Sequence, residues 1–412
     1  MSAAGANAPA IDAGRLWQEL MELGEIGMRP GGGVCRPALS PADEEGRRWF
    51  AARARAAGLA VRVDAVRNVI ARLPARDPAA KTLLIGSHLD SVPDGGRFDG
   101  PLGVLAGLEC ARVIVAAGIE LPYHLEVIGF SNEEGAYGPG SVGSRAMVGT
   151  LAPGELERKS PALGRSFAED LAKVGGGDPA DARRAAEEFA WCLELHIEQG
   201  RRLEDAGKDC GIVTAIVGID RYEVTVSGEA GHAGTTPMAA RRDALVMAAP
   251  LFTLLPAWAA EQNPEMVATI GALSLFPGVP NVIPGECRFV VELRAAERAD
   301  LDALGARLRD YAGGHPAFAL RQIYEKPGAR MDAEAVAAVR KAVALVGCSS
   351  MDLPSGAGHD AQTFAPYVPT AMIFTPCRHG VSHNPAEWIE PEQAAAGAQV
   401  LLDTALILSG KL

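Results

Sequence analysis

Two short apolar runs, Thr82–Ile85 and Leu125–Phe130, each end in a burst of histidine and carboxylate. The first leads into Gly86-Ser87-His88-Leu89-Asp90-Ser91-Val92-Pro93-Asp94-Gly95-Gly96-Arg97-Phe98-Asp99-Gly100, the second into Ser131-Asn132-Glu133-Glu134-Gly135. Both runs read as short buried strands. Amphipathic or apolar helical patterns over 13–27, 41–58 and 102–117 lie around them, with Ser40-Pro41 as an N-cap and first-turn proline. Strands alternating with helices predict an α/β layered fold. Imidazoles and carboxylates gathered at strand ends are what a hydrolytic metal centre needs.

At 412 residues the chain exceeds the usual size of one domain. Val61–Val63 and Asn68–Arg72 read as further strands, and 152–190 as a polar, helical, solvent-exposed insertion. The character changes near Gly211. Ile212–Val217 and Arg221–Ser227 alternate as half-buried strands do. A helix at 241–259, strands at 266–275 and 286–294, and a helix at 297–312 follow. This β-α-β-β-α order predicts an inserted α+β domain at 213–329, which splits the catalytic domain into 1–212 and 330–412. Beyond it helices and buried strands resume, with Ala371–Phe374 leading to another histidine cluster.

A net charge of −12 argues against a nucleic-acid or anionic-membrane partner. The seven cysteines are scattered and odd in number, with no CxxC pair. Neither a disulfide framework nor a zinc ribbon is expected, which suits a reducing, cytoplasmic setting. Met1–Asp12 has no basic segment followed by an apolar one, so it does not read as a signal peptide. The apolar stretch Ala244–Ala260 contains two prolines and is short for a membrane span, so it reads as a buried or interface helix.

His88 and Asp99 flank a glycine-rich turn that can fold both side chains to one point. Asp90 is placed to accept the other imidazole proton of His88 and orient the ring. Glu133 and Glu134 diverge at a strand end, so one can bind metal while the other meets a water. For His196 and His383 the residues alone leave open a satisfied core histidine. His124, His315 and His379 read as structural or exposed. His232 sits in a turn of small residues. Arg294 closes an apolar strand and reads as a surface charge or an anion clamp, and Gly356–Asp360 as an ordinary tight loop.

The ordered set Gly86–Gly100, Phe130–Gly135, Glu194–Gly200, Gly231–Met238, Pro280–Gly285, Gly358–Ala361 and Ser382–Glu387 resembles the amidase/hydantoinase/carbamoylase branch of the metal-dependent M20 peptidase superfamily. The resemblance runs from about residue 14 to the C-terminus. It implies a dimetal catalytic domain carrying an inserted lid and dimerisation domain. It implies two divalent metal ions, Zn or else Mn, Co or Ni, held by His88, Asp99, Glu134, His196 and His383, with Asp99 bridging. Glu133 would be the general base, with His232 holding the oxyanion and Asp90 orienting His88 as the further catalytic residues. Gln199 would hydrogen-bond the ureido group. His232, Asn281, Arg294 and Gly358 would bind substrate, with Arg294 on its carboxylate and Arg221 as a further contact. The implied reaction is hydrolysis of the linear ureido C–N bond of an N-carbamoyl-L-amino acid by a homodimer joined through its lids. Allantoate and β-ureido acids are the alternative substrates, with a dipeptidase or a noncatalytic binding protein further off.

Overall fold

The computed structural model describes residues 9–138 and 140–412, so most of Met1–Asp12 lies outside the described residues. The strands are β1 (Ala60–Val63), β2 (Val69–Leu73), β3 (Thr82–His88), β4 (His124–Phe130), β5 (Phe189–Ile197), β6 (Cys210–Ile216), β7 (Gly218–Ser227), β8 (Gly231–His232), β9 (Val267–Phe276), β10 (Val282–Ile283), β11 (Glu286–Ala295), β12 (Phe318–Lys326), β13 (Ala329–Arg330), β14 (Ser350–Ser355) and β15 (Thr370–Thr375). The helices are α1 (Ala13–Glu25), α2 (Pro41–Ala56), α3 (Pro101–Ala116), α4 (Val142–Val148), α5 (Phe167–Lys173), α6 (Arg202–Ala206), α7 (Ala244–Gln262), α8 (Arg298–Gly313), α9 (Ala333–Val346), α10 (Asp360–Phe364) and α11 (Pro391–Leu408). The chain divides into two compact units, residues 1–214 with 331–412, and residues 215–330.

The first unit is built on a mixed sheet in the order β1-β2-β4-β3-β5-β15-β6, with β14 also paired to β6. Its four central strands, β4, β3, β5 and β15, are parallel. Parallel strands are buried on both faces, and β3 and β4 are buried at every residue. Their side chains alternate between two cores. Leu83, Ile85, Leu125 and Val127 face the core under α3 and α11, whereas Leu84, Ile128 and Phe130 face Met147 and Phe364. Ser40 caps α2 by accepting Asp43 N–H at 3.2 Å, as its position before Pro41 predicts.

The second unit holds a four-stranded antiparallel sheet in the order β12-β7-β11-β9, with α7 and α8 packed on it. The stripe Ala244, Ala248, Leu251, Leu255, Trp258 and Ala259 is the buried face of α7, at spacings that stay on one side of a helix. Asp243 caps its N-terminus. Among the described residues this is the one helix long and apolar enough to cross a membrane, and here it covers a sheet.

One expectation needs correction, and two strands went unread. Residues 152–190 are mostly irregular, with α5 the only α-helix among them, and they are not a detached surface insertion. Glycines and prolines interrupt the pattern, while Leu156, Phe167 and Leu171 are buried beside Tyr137. The second unit has a sixth major element that its polarity hid: β12 carries Arg321, Gln322 and Glu325 and lies exposed at a sheet edge. Likewise β14 is too weakly apolar to stand out before α10.

Candidate metal centre and substrate residues

Ligands in open α/β sheets collect at the carboxyl ends of the strands, and four parallel strands converge there. His88 is the last residue of β3. Glu133 and Glu134 follow β4. His196 is the penultimate residue of β5, paired in register with Phe374 of β15, and His383 lies on the loop after β15. The turn that returns Asp99 toward His88 requires glycine at 100. Its φ is +85°, and a Cβ there would lie 2.5 Å from the His88 ring. Asn132, Gln199 and His383 also hold positive φ, at 53°, 56° and 53°. Such non-glycine strain costs about 1–3 kcal/mol each and gathers at functional sites.

Asp99 is the hub. Its Oδ1 lies 3.4 Å from His88 Nε2 and 3.1 Å from His196 Nε2, and its Oδ2 lies 3.2 Å from His383 Nε2. Glu134 Oε2 lies 3.3 Å from the same His383 nitrogen. Two donor trios result, His88–Asp99–His196 and Asp99–Glu134–His383, with the donor atoms of each within 4.8 Å of one another. Buried polar atoms normally find partners. Here Glu134 Oε1 is buried with no hydrogen-bond partner, and a cation in its trio would satisfy it. The nitrogen and oxygen donors suit Zn, Mn, Co or Ni. The residues therefore fit a dimetal site.

The electrostatics agree. Burial would raise the Asp99 carboxyl, yet hydrogen bonds to His196, His383 and His88 hold it well below the usual range. Burial opposes protonation of His88 and His196, and the Asp99 carboxylate overcomes it and raises both. His383 is pushed up to about 9, chiefly by its hydrogen bond to Asp99. Glu134 is pushed up to about 8 by burial and then by the Asp99 charge.

The neighbours of these donors are fixed by the chain itself. His88 Nδ1 bonds to the backbone carbonyl of Asp90 at 2.9 Å, while the Asp90 carboxylate is 4.0 Å away. The expected orienting carboxylate is thus corrected to an orienting carbonyl. The Asp90 carboxylate instead accepts the peptide N–H groups of Glu133 and Glu134, because the chain after β4 turns back over it. His196 Nδ1 likewise holds the Ile197 carbonyl at 2.9 Å. Glu133 Oε1 accepts Ser141 Oγ–H at 3.3 Å, and its Oε2 lies 4.0 Å from His88 Nε2. Gln199 gives its amide N–H to Asp99 Oδ2 at 2.8 Å, leaving Oε1 buried and without a partner. Gly358 precedes His359, whose ring packs edge-on against His196 at 4.5 Å. The tight loop of 356–360 therefore abuts the centre.

The second unit holds its candidates in two groups, one just before the start of β11 and one near its end. β8 pairs with β10, setting His232 opposite Val282 and beside Asn281. His232 Nδ1 accepts N–H from Gly234 and Thr235 at 3.0 and 3.2 Å, so the ring presents Nε2–H as a donor. Arg221 and Arg294 both bond to Glu292, at 2.6 and 2.8 Å. Sequence reasoning passed over Glu292, although it stands two residues before Arg294 and so on the same strand face. Glu194 was also missed. It is buried beneath the centre, accepting Ser87 Oγ–H and Ala361 N–H at 2.7 and 2.8 Å. Of the histidines set aside, His124 is buried and accepts Ala75 N–H, while His315 and His379 are exposed.

Residues 84–407 match the model of peptidase family M20/M25/M40. An N-carbamoyl-L-amino acid amidohydrolase of Geobacillus stearothermophilus is 41% identical over 96% of this chain and 98% of that relative. A second, from Rhizobium meliloti, is 38% identical over 98% of each. The crystal structure of a hydantoinase/carbamoylase family amidase from Burkholderia multivorans superposes with a TM-score of 0.89 at 39% identity, over 97% of this chain and 98% of that one. With its donor trios at the strand ends and these relatives along nearly its whole length, the chain belongs to peptidase family M20/M25/M40, in the hydantoinase/carbamoylase amidase branch.

Proposed function

We propose that this chain hydrolyses the linear ureido C–N bond of an N-carbamoyl-L-amino acid, releasing ammonia, carbon dioxide and the amino acid. The observation that carries the reading is the pair of donor trios sharing Asp99, with Glu133 alongside. His88, Asp99 and His196 would hold one divalent cation, and Asp99, Glu134 and His383 the other. Zn, Mn, Co or Ni would serve, and when bound they supply Lewis-acid activation of water and of the carbonyl.

Glu133 takes a proton from the attacking water and returns it to the leaving nitrogen. Ser141 orients that carboxylate, and Asp90 holds its backbone. Gln199 Oε1, an acceptor with nothing to accept, suits an N–H of the ureido group. To His232 we assign the developing oxyanion, with its Nε2–H as the donor, Asn281 as its neighbour on the second unit, and Gly358 offering backbone from the first. Arg294 takes the substrate carboxylate, supported by Arg221; as Arg294 and His232 lie toward opposite ends of β11, one substrate meets both only when one of them comes from the partner copy. We place the enzyme in the cytoplasm, as a homodimer joined through its second units. Exposed Val246, Val267, Leu273 and Phe276 on α7 and the edge strand β9 support a second copy as partner.

The test is a substrate panel with metal-loaded protein: N-carbamoyl-L-amino acids, N-carbamoyl-β-alanine, allantoate and dipeptides. Turnover confined to dipeptides would overturn the reading.

A further inference from the structure

Asp99 serves both donor trios, so its orientation governs both. Glu387, which belongs to neither trio, is buried beneath the turn that carries it. Glu387 Oε1 accepts the peptide N–H of Phe98 at 2.9 Å and of Asp99 at 3.1 Å. Its Oε2 lies 3.0 Å from Ser382 Oγ, and that hydroxyl lies 2.9 Å from Asp99 Oδ2. One carboxylate thus grips the backbone of Asp99 and shares the single Ser382 hydroxyl proton with its side chain. Ser382 is also the residue before His383.

Two further observations separate orientation from mere cohesion. A Cβ on Gly96 would fall 2.0 Å from Glu387 Cδ and Oε1, so the turn is shaped to admit this carboxylate. The same two segments are already held by apolar contact. Phe98 and Trp388 pack edge-on at 5.5 Å, and Trp17 stacks on Phe98 at 5.7 Å. The aromatic contact joins the segments, and the carboxylate aims Asp99 within them.

We propose that Glu387 is a positioning residue that sets Asp99 to offer one oxygen to each trio and thereby couples the two cation sites. This rests on the dimetal reading above. Partners of metal ligands change affinity by about 10–100-fold when removed.

The experiment titrates metal-free protein with Zn²⁺, and separately Mn²⁺, against a chromophoric chelator, with melting temperature and circular dichroism recorded on the same metal-free samples. In Glu387→Ala the second equivalent should weaken at least about tenfold. At saturating metal kcat should fall while KM holds. Glu387→Gln should recover most of the affinity, because its oxygen still accepts both peptide N–H groups and its amide can donate to Ser382 Oγ. Gly96→Ala, which displaces the carboxylate without removing it, should behave like Glu387→Ala. Native affinity for both equivalents in Glu387→Ala would overturn the proposal, as would Glu387→Gln proving no tighter than Glu387→Ala at equal melting temperature. Should Glu387→Ala fail to fold, tight binding of both equivalents by Gly96→Ala overturns it instead. Wild-type protein that takes up fewer than two equivalents would overturn the dimetal reading itself, before any variant is compared.

Discussion

The Asp90 carboxylate accepts the peptide N–H of Glu134 at 3.2 Å, and that of the adjoining Glu133 at 3.3 Å. The His88 ring is held by the Asp90 carbonyl instead. Asp90→Asn keeps one accepting oxygen and turns an amide NH₂ toward the second peptide N–H. It should lower kcat about 10–100-fold, the usual cost of losing a supporting partner of a metal site. The ¹⁵N shift of His88 Nδ1 should not move, since the carbonyl remains. A changed His88 tautomer in the variant would show that the carboxylate orients the ring after all.

Glu133→Gln removes the proton acceptor with little change of shape. Metal content should stay at the wild-type level while kcat falls about 10²–10⁴-fold, the range of general acid–base help. Elemental analysis and steady-state rates on the same preparation check it. Near-normal turnover at full occupancy would assign the base elsewhere.

Cation binding should release protons. His383 is raised to about 9 and Glu134 to about 8, both above the ordinary values. A cation binds their deprotonated forms. Below about pH 8 at least one proton must therefore leave this trio, so affinity should rise as pH rises, by about tenfold per unit for each proton displaced, and level off above about pH 9. Chelator competition at about pH 6.5 and about pH 8.5, with proton release followed in weak buffer, measures the slope. A flat profile would mean that the trio is not the binding site.

Arg294→Lys keeps the charge and loses the planar fork that matches a carboxylate. KM for an N-carbamoyl-L-amino acid should rise at least about tenfold with kcat little changed. His232→Ala should do the reverse, lowering kcat more than KM, because its contact strengthens as the oxyanion forms. Steady-state kinetics on the two variants separate the roles, and an Arg294→Lys variant with an unaltered KM would remove Arg294 from the substrate carboxylate.

By itself the sequence determined the α/β alternation, the inserted antiparallel unit and the donor-rich turns after β3 and β4. Each of these is written within a short window. Hydrophobic period reports which face is buried, and a glycine-rich turn keeps His88 near Asp99 without help from distant chain. His196 and His383 were different. Their neighbours alone left a core histidine as good a reading, and the family resemblance supplied their roles. Only the parallel pairing of β3 with β5 and of β5 with β15 brought them to Asp99, because strand pairing is a long-range choice that local pattern does not record. The same holds for side chains that turn away from the nearest partner. Asp90 looked bound to His88 two residues off, yet the chain returning from β4 captured its carboxylate. Glu387 reached the backbone of Asp99 from the far end of the sequence. β12 went unread because an exposed edge strand needs no apolar alternation to be held by its neighbour β7. Tertiary structure decided these contacts, since a buried peptide N–H takes whichever acceptor the packed strands place within reach.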